Sequence, residues 1–170
     1  GRELYRLPAE GAFSGLSCVL LHRVMNERRT ILMVDDSEDN LFLMRHSLQE
    51  AKCQNPLQEV NNGEEAIAYL KGEGIYFDRL KFPFPVVMLL DLNMPKGNGF
   101  DVLAWVRSQP KLKRLSIIIV TASMRDTDVE RAFDLGATGF LVKPIDLKIF
   151  EAMMRCLCNW VQINHFPQLS

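Results

Sequence analysis

The stretch LLDLNMPKGNGFDVL, residues 89–103, starts as an apolar run, ends that run on Asp91 and continues as Met-Pro-Lys-Gly-Asn-Gly. The run belongs to FPVVMLLD, residues 84–91, which has the length of a strand and is apolar on both sides. Strands that are apolar on both faces are typical of a parallel sheet covered by helices on each side. The stretch therefore predicts an α/β fold in which Asp91 lies at the end of a buried central strand.

The same order of strand and then helix recurs five times from Thr30 onward. Ser37 can cap the first helix, Gly72 can end the second, and Pro110 ends the third. Right-handed crossovers leave few topologies for such alternation, and the simplest is a doubly wound five-stranded parallel sheet of order 2-1-3-4-5, which is flavodoxin-like. The predicted strands are 30–36, 56–62, 84–91, 115–123 and 139–144, and the predicted helices are 38–51, 63–74, 98–110, 125–137 and 146–163.

Length and composition favour one domain, because 170 residues with 48% hydrophobic and 24% charged residues can build one substantial core. The formal net charge of -1 gives no general attraction to nucleic acid or to an anionic membrane surface, and no apolar run is long enough to span a bilayer. The cysteines lack the spacing of a zinc site or a disulfide framework. We expect them to be buried or half-buried thiols in a reducing cytoplasm.

The two ends of the chain differ from the regular part. Residues 1–28 carry a short apolar stretch without the strand-and-helix pattern, and we interpret them as an N-terminal extension. It is either a loosely docked tail, tag or upstream sequence, or a helix for self-association, and Met25 is a natural start for the compact domain. We expect the domain to cover 29–162 and a short tail to cover 163–170, so that the output is carried by another molecule.

Polar side chains follow four of the five predicted strands. Asp35 and Asp36 end the first strand, Asp91 the third, Thr121 the fourth and Lys143 the fifth. Because the carboxyl ends of parallel strands meet at one edge of a sheet, we expect these side chains to lie together. Three carboxylates in one place repel one another unless a cation intervenes, and a cluster of oxygens suits Mg²⁺. The sequence therefore predicts a magnesium site.

The other side chains at this edge suit a phosphoryl group. Lys143 supplies an ammonium and Thr121 a hydroxyl, and both can bind phosphoryl oxygens. Asp91 is the candidate nucleophile, forming an acyl phosphate, because its strand is central and the following loop exposes it. Asp35 and Asp36 are then left to bind the metal.

Four motifs resemble the receiver domain of two-component response regulators: VDD at 34–36, DLNMPKGNG at 91–99, VTAS at 120–123 and FLVKP at 140–144. The resemblance covers about residues 29–161. It implies a bacterial, cytoplasmic signalling protein that accepts a phosphoryl group from a sensor histidine kinase in a Mg²⁺-dependent reaction, with Mn²⁺ as a substitute metal. It also implies self-catalysed phosphorylation and dephosphorylation, without activity on other substrates.

The resemblance assigns a role to each residue of the acidic cluster. Asp91 is the phosphoacceptor, and Asp36 is a direct Mg²⁺ ligand. Asp35 is a ligand through water or an orienting acid, and Asn93 gives its backbone carbonyl to the metal.

Three further residues carry the switch that the resemblance implies. Thr121 binds a phosphoryl oxygen and moves toward it on activation, and Lys143 bridges to the phosphate. Phe140 is the aromatic residue that rotates inward behind Thr121. The signal then leaves through the face formed by the fourth helix, the fifth strand and the fifth helix, which is also the expected surface for a homodimer or a downstream protein.

The backbone around the site also matches the family. Pro95 fixes a turn, Gly99 permits a conformation that other residues resist, and Pro144 occupies the position of a cis-proline that aims Lys143 into the site. The long segment 71–85 resembles that of the small receivers that partner bacterial phytochromes.

Two other functions remain open from the residues. One is a phosphorelay intermediate that passes its phosphoryl group to a histidine phosphotransfer protein. The other is a small Mg²⁺-dependent aspartyl phosphohydrolase, which needs a second acid two residues after the nucleophile, where this chain has Asn93. A regulated phosphate switch is therefore the favoured hypothesis.

The last helix has two apolar stripes. We expect the first on the sheet, and the second is either buried or part of an interface. The stripe expected on the sheet is Ile145, Ile149, Met153, Cys156 and Trp160. The second stripe, for which burial and an interface both remain open, is Phe150, Met154, Leu157 and Val161. We also expect the acids Asp126, Asp128 and Glu130 to form a solvated start of the fourth helix.

Overall fold

A five-stranded parallel sheet forms the centre of the computed structural model, which describes residues 29–167. The strands lie in the order β2-β1-β3-β4-β5, which confirms the predicted doubly wound topology. They are β1 Thr30–Val34, β2 Leu57–Val60, β3 Pro85–Leu90, β4 Ser116–Thr121 and β5 Gly139–Val142. The helices are α1 Glu38–Glu50, α2 Gly63–Lys71, α3 Gly99–Ser108, α4 Asp126–Asp134 and α5 Leu147–Ile163. The proposed N-terminal extension and the last three residues lie outside the described range.

The helices cover the sheet on both faces, as the apolar strands require. One core cluster joins the sheet to α2, α3 and α4, and the other joins it to α1 and α5. Met88, Leu89 and Leu90 of β3 have no exposed surface, because consecutive side chains enter opposite cores. Burying one such side chain contributes roughly 1.5–3 kcal/mol to folding. The central strand thus holds its carboxyl end, and with it Asp91, in a fixed place.

Local signals set the ends of the helices. The Ser37 hydroxyl accepts a hydrogen bond from the backbone N–H of Asn40 at 3.3 Å, which confirms the predicted cap of α1. The side chain of Asn98 accepts from the N–H of Phe100 at 2.8 Å and caps α3. Gly72 ends α2 in the left-handed conformation, with φ of 74°. These caps place the start of α1 and the start of α3 beside the carboxyl end of the sheet.

None of the helices within residues 29–167 is long and apolar enough to cross a membrane.

The long segment after α2 is folded rather than open. It contains a 3₁₀ turn, Gly74–Phe77, and Tyr69 packs at 5.2 Å from Tyr76 and 6.1 Å from Phe82, measured between ring centroids. Arg79 donates to the carbonyl oxygens of Tyr69 at 2.8 Å and Leu70 at 2.9 Å, and so satisfies the end of α2. The Tyr69 hydroxyl donates to a loop carbonyl at 2.6 Å, and burial raises the pKa of this tyrosine. The segment therefore stiffens the end of α2.

The prediction for the first apolar stripe of α5 was wrong. The second stripe, for which burial and an interface both remained open, is buried on the sheet: Phe150, Met154, Leu157 and Val161. The stripe that we expected on the sheet is mostly open. Ile145 is fully exposed and Ile149 is 60% exposed. Met153 and Trp160 are half-buried, whereas Cys156 is exposed, against our expectation for the cysteines.

The packing of α5 against α1 explains which of the two stripes is buried. The buried flank meets both the sheet and α1, whose Leu41, Met44 and Leu48 belong to the same core cluster. Within residues 29–167, no second helix is paired with α5 in the same way, and β5 is an edge strand whose own residues are only half-buried or exposed. A helix with two adjacent apolar stripes therefore buries the one that its partner helix covers.

Gly63, the first residue of α2, allows α2 to approach the loop after β3. Its N–H donates to the carbonyl oxygen of Lys96 at 2.9 Å, and a Cβ added here would overlap the carbonyl oxygen of Gly97 and lie 2.7 Å from Val102 Cγ2. Gly63→Ala is therefore expected to lower the free energy of unfolding by about 1–3 kcal/mol, measured by urea denaturation. Gly139→Ala is the control, because its Cβ would meet only Ile118 carbons at 3.8 Å. Equal stability of the two variants would contradict the prediction.

Candidate functional site

Three aspartates meet at the carboxyl end of the sheet, as the sequence predicted. Asp35 and Asp36 follow β1 and Asp91 follows β3, and one oxygen of each carboxylate lies within 4.8 Å of the others. Asp35 is 1% exposed and Asp91 is 5% exposed, whereas Asp36 is open to solvent. The cluster thus combines two buried charges with one accessible charge at the mouth of the site.

Lys143 joins two of these aspartates from the end of β5. Its Nζ donates to Asp35 Oδ2 at 2.6 Å and to Asp91 Oδ1 at 3.3 Å, and its side chain is 14% exposed. The backbone N–H of Lys143 donates to the carbonyl oxygen of Thr121 at 2.7 Å and extends the pairing of β4 and β5. Buried carboxylates need a cation and hydrogen bonds, and Lys143 supplies both.

Asn93 connects Asp91 to Thr121. Its backbone N–H donates to Asp91 Oδ2 at 3.1 Å, and its side-chain amide lies 3.4 Å from Thr121 Oγ1. The N–H of Ser123 donates to the same hydroxyl oxygen at 3.3 Å. The fully buried Thr121 hydroxyl is therefore held at the end of β4, beside the Asp91 loop.

The loop after Asp91 is anchored at both ends, while its middle is exposed. Leu92 and Met94 are buried, whereas Pro95 is exposed. We expected Gly99 to adopt a backbone conformation that other residues resist, and this was wrong. The residue of this loop with a positive φ, 78°, is Gly97. Gly99 is needed because a Cβ there would overlap the carbonyl oxygen of Asp91 and lie 2.8 Å from Leu92 Cα. Close packing of α3 against the strand end leaves no room for a side chain.

Phe140 and Pro144 flank the site on β5 and just after it. Phe140 is half-buried and packs against the core cluster that contains α3 and α4. The peptide bond between Lys143 and Pro144 is trans, whereas the resemblance places a cis-proline here. Trans is favoured before proline by about 0.5–1 kcal/mol, and the Lys143 side chain reaches both aspartates with this isomer.

Comparison with known proteins decides the family. A model of the response regulator receiver domain matches residues 31–155. This chain belongs to the response regulator receiver family. The strand-end cluster of acids, threonine and lysine thus lies in a receiver domain of two-component signalling.

Relatives of this receiver domain match it over nearly their full length. Response regulator Rcp1 of Synechocystis is 31% identical over 143 residues, which cover 84% of this chain and 95% of Rcp1. The crystal structure of the phosphorylated cyanobacterial phytochrome response regulator RcpA has a TM-score of 0.76 at 27% identity, covering 83% of this chain and 99% of RcpA. The Mn²⁺-bound form of Rcp1 has a TM-score of 0.75 at 30% identity, covering 82% and 99%. The receiver fold is shared throughout.

One residue of the site was not predicted from the sequence. Asn40 lies in the first turn of α1, and its side-chain amide donates to Asp35 Oδ1 at 3.0 Å. Its position in the sequence could have indicated this role. Asn40 is the third residue after the cap Ser37, and side chains at that position reach back past the start of a helix.

The expectation of a fully solvated start of α4 was wrong for Asp128. This residue is 7% exposed, and its Oδ2 accepts from Ser123 Oγ at 2.5 Å and from Arg125 Nε at 3.0 Å. Ser123 also donates its N–H to Thr121, so the contacts run from the strand end to α4. The Ser123 hydrogen bond, and then the Arg125 guanidinium, hold the pKa of the Asp128 carboxyl below its usual value, although burial opposes this.

Asp128 is therefore expected to stabilise this receiver domain in a pH-dependent way. Because its pKa is lowered by folding, its contribution is complete above about pH 3.9, the usual aspartate pKa, and disappears as the pH falls through the lower folded-state value. Asp128→Asn should lower the melting temperature at pH 7. The difference in melting temperature between the variant and the parent protein should disappear in acid. Asp126→Asn, at an exposed acid of the same turn, is the control. A gap that stays constant with pH would contradict the assignment.

Proposed function

We propose that this receiver domain accepts a phosphoryl group on Asp91 from a phosphohistidine of a sensor histidine kinase. The observation that carries the proposal is the convergence of Asp35, Asp36 and Asp91 within 4.8 Å, with Lys143 in contact with Asp91. The Asp91 carboxylate attacks phosphorus, a P–O bond forms, the P–N bond breaks, and the imidazole leaves with the electron pair. The crystal structure of phosphorylated RcpA supports this chemistry in a relative.

The donor set fits a hard divalent cation. Three carboxylates can each offer one oxygen to a common point, and Mg²⁺ prefers oxygen ligands and keeps several waters. We assign direct binding to Asp36, Asp91 and the backbone carbonyl of Asn93. Asp35 acts as an orienting acid, because it is 1% exposed and three donors already hold its two oxygens. When bound, Mg²⁺ supplies positive charge to the phosphoryl oxygens, and the Mn²⁺-bound form of Rcp1 supports Mn²⁺ as a substitute.

Two residues of the chain complete the handling of the phosphoryl group. The Lys143 ammonium, which bridges Asp35 and Asp91 in this structure, turns to a phosphoryl oxygen after transfer. The Thr121 hydroxyl leaves Asn93 and binds another phosphoryl oxygen, and Phe140 moves inward behind it. This shifts an equilibrium between two arrangements of the neighbouring helices rather than creating a new one.

The output face of the proposed cytoplasmic switch is formed by α4, β5 and α5. Its exposed apolar residues include Phe133 on α4, Val142 on β5 and Ile149 on α5. Exposed apolar groups grouped on one face are typical of protein interfaces. A second copy of the chain or a downstream protein is the proposed occupant, and Thr121 and Phe140 connect this face to the phosphoryl group.

The alternative functions gain no support from the site. Asn93 carries an amide where an aspartyl phosphohydrolase needs a general acid, and its side chain contacts Thr121 instead. A phosphorelay intermediate uses the same Asp91 chemistry in reverse, and no contact in residues 29–167 favours it over the switch.

Acetyl phosphate tests the proposed function directly. The protein is incubated with Mg²⁺ and acetyl phosphate, and its intact mass is followed. We expect a gain of one phosphoryl group that decays after the donor is removed. No gain in mass would contradict the proposal, and steady turnover of unrelated phosphate esters would support the phosphohydrolase.

A further inference from the structure

The carboxylate of Asp35 is held from three directions. The N–H of Ser37 and the side-chain amide of Asn40 each donate to Oδ1 at 3.0 Å, and Lys143 Nζ donates to Oδ2 at 2.6 Å. Asp35 is 1% exposed, so water cannot readily replace a lost donor. A carboxylate with this set of partners cannot rotate without breaking at least one contact.

The side chain of Asn40 is free for this task because other groups cap the helix. In a capping box, the third helical residue reaches back to the N–H of the cap residue. Here Asp35 Oδ1 takes the N–H of Ser37, while the Ser37 hydroxyl accepts the backbone N–H of Asn40. The amide of Asn40 therefore contributes to the orientation of Asp35 and not to the cap itself.

We propose that Asn40 is a positioning residue of the metal site: it fixes Asp35 so that Oδ2 contacts Lys143, which in turn contacts Asp91. The proposal rests on the proposed metal-dependent function and adds a residue of α1 to it. Donors that bind the carboxylates around a metal typically change metal affinity by about 10–100-fold when they are removed. The helix start thereby controls the geometry of the acidic cluster without contacting the metal.

Direct titration with Mn²⁺ tests this role, with free Mn²⁺ measured by electron paramagnetic resonance. Asn40→Ala is expected to weaken Mn²⁺ binding by about 10-fold. Asn40→Gln retains an amide at a position from which glutamine reaches back in capping boxes, and it should bind within about 3-fold of the parent protein. Gln49→Ala removes an exposed amide from the far end of α1 and should leave the affinity unchanged.

The outcomes separate this inference from the proposed function. A parent protein that binds no Mn²⁺ would contradict the proposed function. A parent protein that binds Mn²⁺, together with an Asn40→Ala variant of equal affinity, would overturn the role of Asn40 alone. Circular dichroism of the metal-free variants shows whether they are folded, and a purely structural role would change melting without changing the Mn²⁺ affinity of the folded protein.

Discussion

An Asp91→Asn protein is expected to take up no phosphoryl group from acetyl phosphate or from a histidine kinase. The amide of asparagine has nearly the shape of the carboxylate but is not a comparable nucleophile, because it carries no negative charge. Its oxygen can still accept the N–H of Asn93, which Asp91 Oδ2 accepts at 3.1 Å. The fold should therefore persist while the labelling is lost. Measurement of the intact mass will show the loss of labelling.

The control for this variant is Asp101→Asn, which makes the same chemical change at an exposed position of α3. It should be labelled like the parent protein. Labelling that persists in Asp91→Asn would place the acceptor on another carboxylate of the cluster, and the assignment of Asp91 would have to be abandoned.

Removal of divalent metal is expected to have an effect of similar size. Three carboxylates converge within 4.8 Å, and Lys143 compensates only part of their charge. A phosphoryl donor that approaches them carries negative charge as well. Two unit charges at about 4 Å repel by about 4 kcal/mol at an effective dielectric constant near 20, which corresponds to roughly 1000-fold in rate.

Chelation by EDTA should therefore reduce the rate of labelling by acetyl phosphate by about three orders of magnitude. Added Mg²⁺ or Mn²⁺ in excess of the chelator should restore it. The measurement is the initial rate of mass gain with and without the metal. An unchanged rate in EDTA would show that Lys143 alone neutralises the site.

The sheet and the cluster at its edge could be predicted from the sequence because both depend on strand ends. Each apolar strand stops where a polar residue follows, and parallel strands bring their carboxyl ends together. Asp35, Asp91, Thr121 and Lys143 were thus placed by topology, without knowledge of any side-chain contact.

The remaining features depend on contacts between helices, strands and loops, and the sequence pattern does not show which of these contacts form. The choice between the two stripes of α5 depends on α1, which covers only one of them. Gly99 is needed for the space beside Asp91 rather than for its own φ. Asn40 and Asp128 find their partners through the start of a helix, where several polar groups compete for the same donors.

The hydrogen bonds between the strand-end residues form one connected network. Lys143 ties Asp35 to Asp91, Asn93 ties Asp91 to Thr121, and Ser123 continues from Thr121 to α4. Satisfied networks of this kind fix one arrangement, because an unpaired member in the interior costs free energy. In the proposed function, a phosphoryl group on Asp91 would compete with Asn93 for Thr121 and with both aspartates for Lys143, and would thereby bias the whole network.

The most direct test of the central claim is to trap the acyl phosphate and locate it. Borohydride reduces an aspartyl phosphate to homoserine and expels phosphate, which leaves a mark that is stable through digestion. Trypsin releases residues 82–96, FPFPVVMLLDLNMPK, in which Asp91 is the only acidic residue. After labelling with Mg²⁺ and acetyl phosphate, we expect mass spectrometry to find homoserine at position 91 of this peptide. An unmodified 82–96 peptide, with homoserine in a peptide from elsewhere in the chain, would contradict the account.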